Sequence, residues 1–238
     1  MKVRFAGLLL GVLWLTTETS NAGIIIDLFD SGSQSVCVDV LSSCSPSLSV
    51  VSAPNAIGGS RLMTVSLSFG PVAAATVDTS GQFLDVGVAS SWTDLMVIWD
   101  GFGADFNPIV DLTSGGLDTG ILLTADANPG GHFVSFGLRS GSAFASTVGF
   151  PLAPGLRSYY VPFSGFRNQQ GFASPTIATQ LVMSVGGPGT ARITNVRTGV
   201  QPIPEPSNMF LGGIGLAVML AIRLRHAPLK LRRRRGWA

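Results

Sequence analysis

Glutamate is missing from the long central stretch of this 238-residue chain: none occurs between Gly23 and Gln201. A glycosidase would have to take its paired carboxylates from aspartates alone, and no spacing among the aspartates selects a pair. Histidine is nearly missing too. His132 is the single one in that stretch, and no G-x-S-x-G elbow accompanies it as the partner of a catalytic triad. Placed beside a turn, His132 is expected at the surface. The two cysteines of the whole chain, Cys37 and Cys44, are too few to build a zinc site by themselves. P-loop and EF-hand patterns are absent as well. From Gly23 to Pro206 six arginines stand against twelve acids. That acidic balance excludes the clustered cations of a nucleic-acid surface. No catalytic residue, metal site or cofactor is expected, and the chain does not read as an enzyme.

What is present begins with the two ends, which create the basic pI of about 8.8. Lys2 and Arg4 precede an apolar run of 11 residues, Phe5 to Leu15, and Ser20-Asn21-Ala22 supplies small residues before a cleavage point. This is the pattern of a secretory signal. The run is short of the roughly 20 residues of a spanning helix, which disfavours the alternative of an N-terminal anchor. Residues 1–22 are therefore expected to be a signal helix, removed to leave Gly23 first. Export would carry Cys37 and Cys44 into an oxidising compartment, where a Cys37–Cys44 disulfide is favoured over two separate buried thiols.

The chain has 30 glycines, and its region 23–201 consists of short β-type runs divided by turn residues. "RLMTVSLSFG" alternates Leu62, Thr64, Ser66, Ser68 against Met63, Val65, Leu67, Phe69. "QFLDVGVASS", "DLMVIWDGF", "GILLTADA", "HFVSFGLRSG", "SYYVPFSGF", "TQLVMSVGG" and "ARITNVRTGV" follow, with "NPGG" at 128–131 reading as a turn. The fold class is all-β, a β-sandwich or jelly roll. Asp27, Asp30, Asp100, Asp105, Asp118 and Asp126 border turns and are expected to cap loops. Loop calcium is the alternative, with no ligand set that stands out. Trp92, Trp99, Tyr159 and Tyr160 offer either a sugar-stacking platform or core filling, and the alternation favours the core.

The end of the chain is different in kind. Pro204-Glu205-Pro206 disfavours helix and central strand and leaves an accessible linker. Met209 to Ile222 follows, 14 residues without charge, about 21 Å as a helix at ~1.5 Å per residue. Arg223, Arg225, Arg232, Arg233, Arg234 and Arg235 come next, and such a basic end stays cytoplasmic. The segment 209–222 is expected to be a single, marginal transmembrane helix within a sorting segment, 202–238, whose basic tail is 223–238.

In order and spacing, this ending resembles the sorting signal of the PEP-CTERM family. The resemblance implies recognition of Pro204, Glu205 and Pro206 by an exosortase, a membrane cysteine protease-transpeptidase. It also implies a membrane-anchored precursor delivered to the cell envelope, surface or extracellular matrix. The stretches "IIDLFDSGSQ", "AIGGSRLMTVSLSFG", "VIWDGF", "DLTSGGLDTGILL", "YYVPFSGF" and "ARITNVRTGVQPIPEP" are similar to an ectodomain recurrent in that family, a galactose-binding-type β jelly roll without assigned activity. The expected role is structural or adhesive, in an envelope or biofilm matrix. The alternatives are a carbohydrate-binding module with extracellular polysaccharide as partner and, less favoured, a secreted hydrolase.

Overall fold

The computed structural model describes residues 23–39, 46–87, 91–100, 109–128 and 131–201. The chain divides between Gln201 and Pro202, and all described residues belong to the first unit. Its strands are β1 (Ile25–Asp27), β2 (Gln34–Asp39), β3 (Leu48–Ser52), β4 (Ser60–Phe69), β5 (Val72–Asp78), β6 (Phe83–Val86), β7 (Trp92–Trp99) and β8 (Gly120–Asn128). They continue with β9 (Phe133–Ser140), β10 (Ala143–Ser146), β11 (Phe150–Pro151), β12 (Arg157–Pro162), β13 (Arg167–Gln170), β14 (Gln180–Pro188) and β15 (Thr190–Gly199).

These form two antiparallel sheets. One has seven strands in the order β12-β8-β15-β6-β5-β2, with β1 also on β15. The other has eight, in the order β13-β10-β9-β14-β7-β4-β3, with β11 also on β9. The β4–β7 pair of one sheet continues as the β5–β6 pair of the other, and β9–β14 continues as β8–β15. Antiparallel ribbons wrapped across two sheets in this way make a jelly-roll sandwich, so the expected all-β architecture is found.

Alternation explains the core. Met63, Val65, Leu95, Val97, Leu181, Met183, Phe136 and Leu138 of the eight-stranded sheet are buried, as are Leu84, Ile121, Leu123 and Ile193 of the other. Ala73, Ala75, Ala125, Ala127 and Ala191 also point inward from the seven-stranded sheet, so its small residues receive the larger ones opposite, as close packing requires. The alternation read in β4 fails at its end. A register shift between Leu67 and Phe69 turns Phe69 out, 76% exposed.

One polar knot sits in this core. Arg61 of β4 donates through Nη1 to Asp27 at 2.6 Å, through Nε to Gln34 at 3.1 Å, and through Nη2 to the carbonyls of Ser31 and Gly32. Trp99 Nε1 donates to the same Asp27 oxygen at 2.9 Å, and the Phe29 amide to the other at 2.7 Å. Arg61 and Asp27 are fully buried, and their polar atoms are well supplied with partners, the condition for a buried ion pair to be tolerated.

Candidate functional site on the outer face of the eight-stranded sheet

The register places outward side chains in rows across the strands. Ser66, Asp94, Gly186 and Phe133 form one row, and Thr64, Met96, Ser184 and Ser135 the next. Leu62, Ile98, Val182 and Gly137 form a third, and Gln180, Arg139 and Phe144 a fourth. Glycine and serine on β14 and β9 keep the floor low, while Trp92, Phe133 and Phe144 rise beside it. The result is a groove made of two hollows of ≈ 400 and ≈ 380 Å³ that share Met96, Ser135 and Ser184. The two hollows follow one another along β7, β14 and β9, so the groove suits an extended ligand.

The walls are held in place by specific close approaches. Trp92 Nε1 donates to Asp94 Oδ1 at 3.2 Å, and the Ser68 hydroxyl donates to Asp94 Oδ2. A β-carbon placed on Gly186 would lie 2.5 Å from Asp94 Oδ1, so only glycine lets that carboxylate lie flat on the floor. The Phe144 ring covers Gly137, where a β-carbon would come within 2.9 Å of it. The Arg139 guanidinium lies 5.6 Å from the centroid of the same ring, a cation–π contact. Trp92 is 38% and Phe133 47% exposed. Apolar ring faces thus stand beside one carboxylate, one guanidinium, the Gln180 amide and several hydroxyls.

The aromatic residues do not share one role. Trp99 is buried and Tyr159 packs against the core, as the alternation suggests, and the Tyr160 hydroxyl bonds that of Thr119 at 2.6 Å. Trp92 corrects the core expectation: it shares strand parity with Asp94, Met96 and Ile98, and so faces out.

His132 is a second correction. It is fully buried rather than at the surface, since it leads into β9 beneath Gly87 and Gly187, whose backbones approach it closely. Neither ring nitrogen has a partner, and burial lowers its pKa below the ordinary 6.5, so the imidazole stays neutral. Among the described residues no nucleophile or carboxylate bonds it, and no group of three or more His, Cys, Asp or Glu could hold a metal ion.

The aspartates also divide. Loop capping is carried out by Asp78, which accepts from the Ser80 and Gly81 amides, and by Asp111, which accepts from the Thr113 and Gly115 amides. Hydrogen bonds lower both pKa values, chiefly from the side chains of Ser80 and Thr113. Asp27 and Asp118 are buried instead, Asp126 lies within β8, and Asp100 accepts from Gln180 at 3.0 Å. Asp30 keeps a turn role, accepting from Asn55 at 3.2 Å.

Cys37 lies in β2, and Cys44 lies outside the described residues. So do Asp105, the leader 1–22, Pro204, Glu205, Pro206, the segment 209–222 and Arg223, Arg225, Arg232, Arg233, Arg234 and Arg235. Among the described residues no helix is long and apolar enough to cross a membrane.

By sequence the chain matches no protein-family model and no curated protein. Solved structures similar to it include the family 30 carbohydrate-binding module of cellulosomal cellulase Cel9D-Cel44B of Clostridium thermocellum. That match has 13% identity and a TM-score of 0.40, and covers 76% of this chain and 99% of that one. The family 11 module from the same organism, in complex with a β-1,3-1,4-mixed-linked tetrasaccharide, is 9% identical with a TM-score of 0.33, covering 71% and 98%. An exo-β-agarase is 12% identical with a TM-score of 0.38, covering 80% of this chain and 27% of that one. At these identities no binding residue transfers by position.

Proposed function

We propose that this protein is an exported β-sandwich that binds an extended polysaccharide along the outer face of its eight-stranded sheet. The groove carries the reading: Phe133 and Phe144 line it beside a glycine- and serine-rich floor, with Asp94, Gln180 and Arg139 at its sides, and Trp92, bonded to Asp94, stands partly exposed at its edge. A sugar chain has apolar C–H faces and a hydroxyl rim, and a site with ring walls and convergent polar groups supplies a partner for each. Binding without a nucleophile–base pair is the chemistry these side chains support.

The ends of the chain assign delivery. The leader 1–22 directs export, and Pro204-Glu205-Pro206 with segment 209–222 and the arginines hands the precursor to an exosortase. The mature protein then acts at the envelope surface or in the matrix. A Cys37–Cys44 disulfide suits that compartment, and the Cys37 amide donating to the Pro46 carbonyl at 2.9 Å already brings the ends of that loop together.

The test is retention of the purified protein in gels containing neutral polysaccharides of different linkage. Retention by at least one of them is expected, and loss of it in Trp92→Ala with the fold intact. No retention across the panel, or retention unchanged by that substitution, overturns the reading.

A second reading rests on the apolar row Val50, Leu62, Ile98 and Val182, of which Ile98 and Val182 also line the groove. A structural role would have this row pack against another protein. Concentration-dependent self-association weakened by Ile98→Ser, without polysaccharide retention, would favour it.

A further inference from the structure

Asp118 is 3% exposed, yet its charge has no visible counterpart. Its Oδ2 accepts from the Ser114 hydroxyl at 2.6 Å and the Thr198 hydroxyl at 2.5 Å, while Oδ1 is buried without a partner. The ion pairs among the described residues are Arg61–Asp27 and Arg192–Asp85; neither involves Asp118. A buried carboxylate left in this state costs several kcal/mol in general, unless a cation comes to it.

The chain itself brings a candidate. Ile24 is bound to Thr198 on both sides: its amide donates to Thr198 Oγ1 at 2.8 Å, and its carbonyl accepts from the Thr198 amide at 2.8 Å. Thr198 Oγ1 is the same oxygen that donates to Asp118. Gly23 presses against this spot, for a β-carbon there would lie 1.9 Å from the Thr198 carbonyl oxygen and 3.1 Å from Thr198 Oγ1. Only glycine fits. Within an uncleaved chain the Gly23 nitrogen is a neutral peptide group. As the first residue it is an ammonium with three donors, next to Ile24, whose amide bonds the hydroxyl that donates to the carboxylate.

We propose that removal of the leader completes an ion pair between the half-buried Gly23 α-ammonium and the buried Asp118 carboxylate, which clamps β1 onto β15. The proposal rests on the reading that the leader ends at Ala22. Processing would then do more than release the protein: it would bring a cation to Asp118, and the processed form would be the stable one.

The experiment uses mature chain recovered from an exporting host in detergent, its first residue identified by mass. A second form carries two extra residues, Ala-Ser, inserted between Ala22 and Gly23, so that the new amine lies away from Asp118. The inserted form should melt roughly 5–10 °C lower at pH 6, and the difference should vanish in an Asp118→Asn background. An equal drop in both backgrounds, or none in either, overturns the pair.

If Asp118→Asn does not fold, the pH dependence of α-amine acylation decides. Pairing should raise the amine at least one unit above its ordinary ~7.7–8.0, slowing its reaction at least about fourfold at pH 8 relative to the unfolded chain. An ordinary titration with Gly23 first overturns the pair alone. A first residue other than Gly23 overturns the cleavage reading, and the proposal with it.

Discussion

On the outer face of the seven-stranded sheet, Arg192 donates to both Asp85 oxygens, at 2.8 and 3.0 Å, and its guanidinium lies 3.7 Å from the Phe83 ring centroid. The bond to Asp85 is the main reason its pKa is raised. A hollow of ≈ 380 Å³ lies beside this cluster. On the opposite face the hollows have nearly the same volume, but Trp92 and Phe133 stand beside them with exposed rings. Cavity size therefore does not separate the two faces. What separates them is that the Phe83 ring lies under the Arg192 guanidinium, while the rings of Trp92 and Phe133 stay open to solvent.

The most direct way to break that contrast is to remove the free rings. Trp92→Ala combined with Phe133→Ala should lower polysaccharide affinity at least ~30-fold, since buried aromatic anchors carry most of the energy of such contacts. Arg192→Ala on the other face should leave affinity unchanged in the same titration. Comparable losses from both variants would erase the distinction.

A smaller intervention tests the floor. Gly186→Ala forces the Asp94 carboxylate away from its present position, and an affinity loss of about 5–10-fold is expected with little change in melting temperature. Unaltered affinity would show that Asp94 takes no part in binding.

His132 permits a comparison of conditions instead of faces. Its pKa is lower folded than unfolded, so the folded state binds fewer protons. Its contribution to stability is complete above the unfolded value near 6.5 and is lost as pH falls through that value toward the folded one. Denaturant midpoints measured from pH 7.5 to 5 should decline in the wild type, and decline less in His132→Phe. Parallel curves would refute the assignment.

The smallest effect is expected from Asp85→Asn. Both partners of that pair are about half exposed, and solvent-screened pairs contribute ~0–1 kcal/mol. The melting temperature should change by less than about 3 °C, and polysaccharide retention not at all.

The strands that alternate clearly were legible from sequence: β4, β7, β8, β9, β14 and β15 all appear where short apolar–polar runs occur. β5, "VAAATVD", was not, because alanines give little strand signal although they are what lets the sheets approach. β13, "RNQQ", has no apolar residue and is fully exposed; only main-chain pairing with β10 makes it a strand. The groove was illegible for a different reason. Its floor combines Gly186, Ser184, Ser135 and Gly137 from β14 and β9, and strand order is not written in any one segment. One signal was available: Asp94 shares parity with Trp92, and a carboxylate rarely points into a core. The segment 202–238, proposed to direct sorting, was read as a linear motif, without any dependence on the sandwich.

The Arg61–Asp27 knot also bears on the register of β4. Strand side chains alternate, so sliding β4 by one residue would turn Arg61 to solvent and point Leu62, Thr64 and Ser66 inward. Asp27 would then be sealed in the core with the Trp99 indole and the Phe29 amide but no cation, at a cost of roughly 3–5 kcal/mol. That penalty falls on the misaligned sheet alone. A purely apolar residue at position 61 would remove it, and a slipped β4 would then compete with the native pairing on hydrophobic contacts only.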